Sequence, residues 1–156
     1  MSTDTTRSLI EDFYGALRKG DRARLLEILA PDAVWIPPAS ATLPRMEGAE
    51  AIADALGGQI VRTTFDLSKP FALEVRRTVV DGDVAVVQQR LTATAKATGA
   101  DYDNQYCWVY EFRDGRLAVL EEYAGAPHGF DGLALDAPVA QRATRDIEEW
   151  VAAQLA

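Results

Sequence analysis

Residues 102–123, YDNQYCWVYEFRDGRLAVLEEY, constrain the fold of this chain more than any other stretch. An alternating strand runs into Asp114-Gly115, and a second strand leaves it; such a dipeptide between strand-forming runs predicts a tight β-hairpin. Side chains alternate along a strand, so Tyr102, Asn104, Tyr106, Trp108, Tyr110 and Phe112 share one face. A face with so many large aromatic rings has to be buried, yet it also carries an amide. On the returning strand Glu122 shares parity with Leu120 and Ala124, whereas Glu121 shares it with Val119 and Tyr123. Both faces of that strand are partly apolar, so the residues alone leave open which carboxylate points inward. An interior that mixes aromatic rings, an amide and a carboxylate suits a small-molecule pocket better than a plain core.

The rest of the chain sets a helical first half against this strand-rich second half. Leu9, Ile10, Phe13, Ala16 and Leu17 recur at helical spacing. The helix they predict begins near Asp4 or Ser8, with Ser8/Glu11 or an earlier Thr3 or Asp4 as its cap, and stops at Gly20. Asp21 caps a second, short helix that carries Leu25, Leu26, Ile28 and Leu29, and Pro31 blocks its continuation. A strand over 33–36 is expected next, then a loop to Gly48 and a third helix over 49–56 closed by Gly57-Gly58. Strands over 71–80 and 84–97 flank an Asp81-Gly82 turn and should pair antiparallel. After a Gly-, Ala- and Pro-rich stretch over 125–138, Pro138 opens a last helix with a stripe of Val139, Ala143, Ile147, Trp150, Val151 and Leu155. Helices first and a meandering sheet afterwards indicate one α+β domain over residues 1–156, with a core over about 6–124.

Composition removes several function classes. The net charge of −8, with basic residues scattered, argues against nucleic acid or an anionic membrane as partner. One cysteine, Cys107, forms no internal disulfide, and one histidine, His128, makes no paired metal site, so no metal is expected. The first residues lack the apolar core of a signal peptide, and no run reaches transmembrane length, so the expected compartment is the cytoplasm.

FYGALRKGD, LLEILAPDAVW, GAEAIADAL and the hairpin, in that order, resemble the SnoaL-like branch of the nuclear transport factor 2-like superfamily, and in particular its ketosteroid isomerase-related proteins. The resemblance implies a curved antiparallel sheet wrapped around the N-terminal helices as a cone, with a deep apolar pocket and frequent dimerisation through the outer sheet face. It implies a cofactor-independent isomerase, cyclase, dehydratase or epoxide hydrolase acting on a small apolar or polycyclic oxygenated metabolite. The alternative is a non-catalytic ligand-binding or dimeric interaction module, because fold alone does not settle function.

Residue by residue, the resemblance removes as much as it adds. The tyrosine, the general-base aspartate and the protonated aspartic acid of ketosteroid isomerases fall at Phe13, Pro37 and Trp108, none of which can exchange a proton. Relative to limonene-epoxide hydrolases, Arg90 and Glu122 match the arginine and last acid, and Thr92 replaces the middle acid. The alignment turns Gln88, Arg90, Thr92 and Thr94 into the cone and favours Glu122 over Glu121. The expected catalytic pair is therefore Glu122 as base and Arg90 as its electrostatic partner, since a buried arginine needs a counter-ion. Asn104, Tyr106, Trp108 and Gln88 are expected to contact substrate, Trp35 and Phe65 to form walls, and His128 to reach the mouth from its loop.

Overall fold

The structure, a computed structural model, describes residues 1–38 and 43–124 together with Arg145. The expected C-terminal helix and His128 lie outside the described residues. Helix α1 (Thr3–Lys19) starts one residue earlier than any cap expected: Ser2 is the N-cap and accepts a hydrogen bond from the Thr5 amide. Gly20 ends it in a left-handed conformation, and Asp21 caps α2 (Arg22–Ile28) by accepting from the Arg24 amide. The chain then passes directly into β1 (Leu29–Ile36), followed by the short β2 (Met46–Glu47) and α3 (Ala49–Asp54).

Gly57-Gly58 breaks the third helix as expected: Gly58, at φ 119°, kinks the chain, which turns at once into a further helix, α4 (Ile60–Thr64), that was not expected. Only glycine holds that backbone geometry cheaply, so the pair serves here as a kink. Strands β3 (Ala72–Asp81), β4 (Val84–Thr94), β5 (Asp101–Arg113) and β6 (Arg116–Ala124) follow. The expected hairpin is β5–β6, and Asp114 and Gly115, both at positive φ, make its turn.

The sheet order is β2-β1-β6-β5-β4-β3, curved and unclosed. Its one parallel pairing sets β1 beside β6, a placement that the reading of a simple meander did not contain. Helices α1 to α3 cover one face, and the core lies between. Ile10, Phe13, Tyr14 and Ala16 of α1 pack there with Leu25 and Ile28 of α2, Ile52 of α3, and Val87, Tyr110, Phe112, Leu117 and Leu120 of the sheet. Removing each large side chain from water is worth roughly 1.5–3 kcal/mol, so this face, rather than helix propensity, fixes the helices in place. Among the described residues no helix is long and apolar enough to cross a membrane.

Candidate functional site

The aromatic strand β5 grades from a closed floor to an open end along its inner face. Phe112, Tyr110 and Trp108 are buried, whereas Tyr106, Asn104 and Tyr102 are half-buried. The β5–β6 register sets Glu122 directly opposite Trp108 and Leu120 opposite Tyr110. Glu122 therefore faces inward and is only 8% exposed, while Glu121 pairs with Val109 on the other face. That register breaks the tie between the two acids.

Trp35 of β1 reaches the same place from the other side of β6. Its ring stacks on Trp108 at 5.9 Å between centroids, and Trp108 stacks in turn on Tyr110 at 5.7 Å. Glu122 thus sits among aromatic rings, and no ion pair reaches it among the described residues. Burial, which disfavours its charged form, pushes the carboxyl up to about 7. The Trp35 indole N–H partly opposes that rise. The indole N–H groups of Trp35 and Trp108 are the only fully buried side-chain polar atoms without a partner among the described residues. A buried donor left unsatisfied costs on the order of 1–3 kcal/mol, so two together call for an explanation.

Beneath the tryptophans a hydroxyl chain is fully paired. Tyr14 donates to Gln89 Oε1 at 2.8 Å, and its hydroxyl lies 2.8 Å from that of Tyr110. One proton per phenol then requires Tyr110 to donate to Tyr14. Burial holds both phenols protonated far above neutral pH. Tyr106 is raised as well, chiefly by burial; its hydroxyl bonds that of Tyr102, to which Asn104 Nδ2 also donates at 3.3 Å. Phe65 packs edge-on to Tyr102 at 5.0 Å and against Phe71 at 5.7 Å, extending the aromatic lining toward the open end.

Two expected site residues lie elsewhere. Arg90 does not meet Glu122: its Nε donates to Asp103 Oδ1 at 2.7 Å on the opposite, partly solvated face. Gln88 is exposed on that same face. The β4 residues turned inward are Ala85, Val87, Gln89, Leu91 and Ala93, one position out of step with the expectation. The cause is the hydrophobic content of the two sets. Burying Ala85, Val87, Leu91 and Ala93 gains apolar contact, whereas the other set would bury a guanidinium. Gln89 is the inward polar residue missed by that reading, and the apolar alternation around it was the available signal. Tyr14, which anchors Tyr110, carried no such signal. Among the described residues no cluster of histidine, cysteine or acidic side chains could hold a metal ion.

Solved structures share this architecture. An NTF2-like protein from Burkholderia xenovorans LB400 superposes with a TM-score of 0.67 at 22% identity, over 80% of this chain and 92% of that one. An LEH-like epoxide hydrolase from M. tuberculosis gives 0.61 at 20% identity, over 79% of this chain and 84% of its own. A ketosteroid isomerase, so described, from Kribbella flavida DSM 17836 gives 0.62 at 20% identity, over 80% and 81%. At such identities these likenesses speak to fold alone. No protein of curated function matches the sequence. Residues 10–120, most of the chain, match the SnoaL-like domain, and the chain belongs to that family.

Proposed function

We propose that this protein is a cofactor-independent enzyme that moves a proton on a small, apolar, oxygenated metabolite, as an isomerase or cyclase does, with Glu122 as its general acid and base. The observation that carries this reading is a carboxyl only 8% exposed, enclosed by aromatic rings and poised at about 7. At neutral pH such a group is present in both forms, so it can take a proton from carbon and return it elsewhere. The buried phenols around it stay protonated, so among the described residues it alone in this enclosure changes charge near neutrality. Epoxide hydrolysis is the less favoured branch, because Arg90 is engaged by Asp103 on the other face and Thr92 stands for the middle acid.

Asn104 and Tyr106, half-buried above Glu122, are proposed to orient the metabolite, with Trp35, Trp108 and Phe65 as its walls. The working form is proposed to be a cytoplasmic homodimer joined through the outer sheet face, where Val79 is 56% exposed. A ligand-binding module without catalysis is the second reading, favoured by the presence of one titrating group where the related enzymes use several.

The test is Glu122→Gln, assayed against a panel of cyclic enones and polyketide-like ketones by proton exchange and product formation. Turnover should fall by at least about 10²-fold, the usual worth of a general base, with the fold intact. Wild-type binding without turnover would favour the second reading, and undiminished turnover in the variant would end the first.

A further inference from the structure

We infer that residues 139–155 of this chain dock, apolar stripe inward, on the hydrophobic rim that Leu67 and Phe71 present at the open end of the sheet. The inference goes beyond the reading of Glu122 and does not depend on it. Leu67 is 51% and Phe71 37% exposed. Phe71 rests on Phe65, which meets Tyr102 edge-on, so the rim continues into the aromatic lining. The turn after Phe65 is stitched in place, which keeps Leu67 from folding back onto those rings. Asp66 Oδ1 accepts from the Ser68 amide at 3.0 Å and from its hydroxyl at 2.7 Å, and the Asp66 amide donates to the Thr94 carbonyl at 2.9 Å. Apolar surface held in water and continuous with an interior marks a place of contact.

The occupant follows from direction, reach and pattern. β6 ends at Ala124 opposite Tyr106, while β5 runs on over residues 101–105 with no described strand beside it on that side. The two strands are antiparallel, so the chain leaves β6 heading toward Tyr102 and the rim; reaching Val79 and Val86 on the outer face requires it to turn back. Strand spacings put Phe71 roughly 20 Å from Ala124, and residues 125–137 span up to about 40 Å. Val139, Ala143, Ile147, Trp150, Val151 and Leu155 then share one helical face, a stripe about 25 Å long that covers Leu67, Phe71 and the half-buried Tyr102 together. Arg145, the one residue there that the structure describes, is helical and exposed, as a position opposite Ile147 has to be when the stripe is covered. The Ser68 hydrogen bonds, and after them Lys69 and Lys96, hold the Asp66 carboxyl below the usual range, so two cations stand at the rim. Asp146 and Glu148 border the stripe on either side and complement them. The segment lies beyond the SnoaL-like match over residues 10–120, so the family fold neither includes nor places it.

The experiment is nuclear magnetic resonance on the full chain, with methyl-labelled leucine, isoleucine and valine. Overhauser contacts are expected between the Trp150 ring and the Leu67 methyls, and between the Ile147 methyls and the Phe71 ring. A mixture of labelled and unlabelled copies, filtered for contacts between chains, should show none of these. Leu67→Ser changes a half-exposed side chain and spares the core, and Trp150→Ser alters only the segment. Each should speed amide exchange over residues 143–154 by at least about tenfold while β5 and β6 keep their protection. Lys69→Glu should speed it about two- to fivefold, the worth of an exposed ion pair. Several results overturn the inference: Trp150 contacts to Val79 or Val86 instead, contacts only between chains, unprotected amides over the segment, or exchange that Leu67→Ser leaves unchanged. No turnover enters these measurements, so the outcome of Glu122→Gln bears on the proposed chemistry alone.

Discussion

At the scale of single residues, the proposed chemistry and the stability of the fold pull against each other at Glu122. In the unfolded chain a glutamate titrates near 4.5, whereas in the fold burial moves this one to about 7. Between those values the folded protein holds more protons than the unfolded one. Stability contributed by this group is therefore full at low pH and is lost as pH rises through 7, by about 3 kcal/mol in all. Glu122→Gln, neutral at every pH, should flatten that slope and make the protein more stable than the wild type at pH 8. Urea denaturation at pH 5 and pH 8 measures both arms, and a variant that is less stable at both would contradict the burial argument. The carboxylate itself was visible in the sequence as one of an adjacent pair. The choice between Glu121 and Glu122 was not, because each has apolar neighbours of its own parity. Pairing with Trp108 on the next strand is what decides it.

At the scale of elements, strand parity explains both what could be read and what could not. On β5, aromatic residues at every second position made the inward face plain, and the structure buries Trp108, Tyr110 and Phe112 there. On β4 both sets carry polar residues, and likeness to related enzymes pointed to Arg90 rather than to the more apolar set that contains Gln89. Arg90 and Asp103 are therefore a surface ion pair, and such pairs contribute little. Arg90→Ala should cost under about 1 kcal/mol in thermal or chemical unfolding and leave binding across the panel of cyclic enones and polyketide-like ketones unchanged. A large loss of ligand binding would mean that the arginine reaches the enclosure after all. The glycine pair after α3 was legible as a helix stop, but the helix beyond it was not: Gly58 at positive φ kinks the chain, which turns at once into α4.

At the scale of the whole molecule, the inserted β1 gives the site its second wall. The helical first half of the chain delivers Trp35 to β6 by a parallel pairing that no short-range pattern announces. The N-terminal helix is also tied to the far hairpin. Thr6 Oγ1 donates to the Gly82 carbonyl at 2.7 Å, and the Gly82 amide donates to Thr3 Oγ1 at 3.3 Å, so α1 is clamped across the β3–β4 end of the sheet. On the opposite sheet face Val79 is exposed on an edge strand, a liability unless covered. The homodimer proposal gives light scattering at twice the 17.0 kDa chain mass, and Val79→Lys should shift that toward monomer. A wild-type monomer at micromolar concentration would refute it.

The central claim is that one buried carboxyl titrates where a proton-transfer catalyst needs it. Carboxyl carbon resonances of ¹³C-glutamate-labelled protein, with Glu122 assigned by its loss in Glu122→Gln, follow that titration directly. A midpoint near 7 is the result expected, and a midpoint near the ordinary 4.5 would contradict the account.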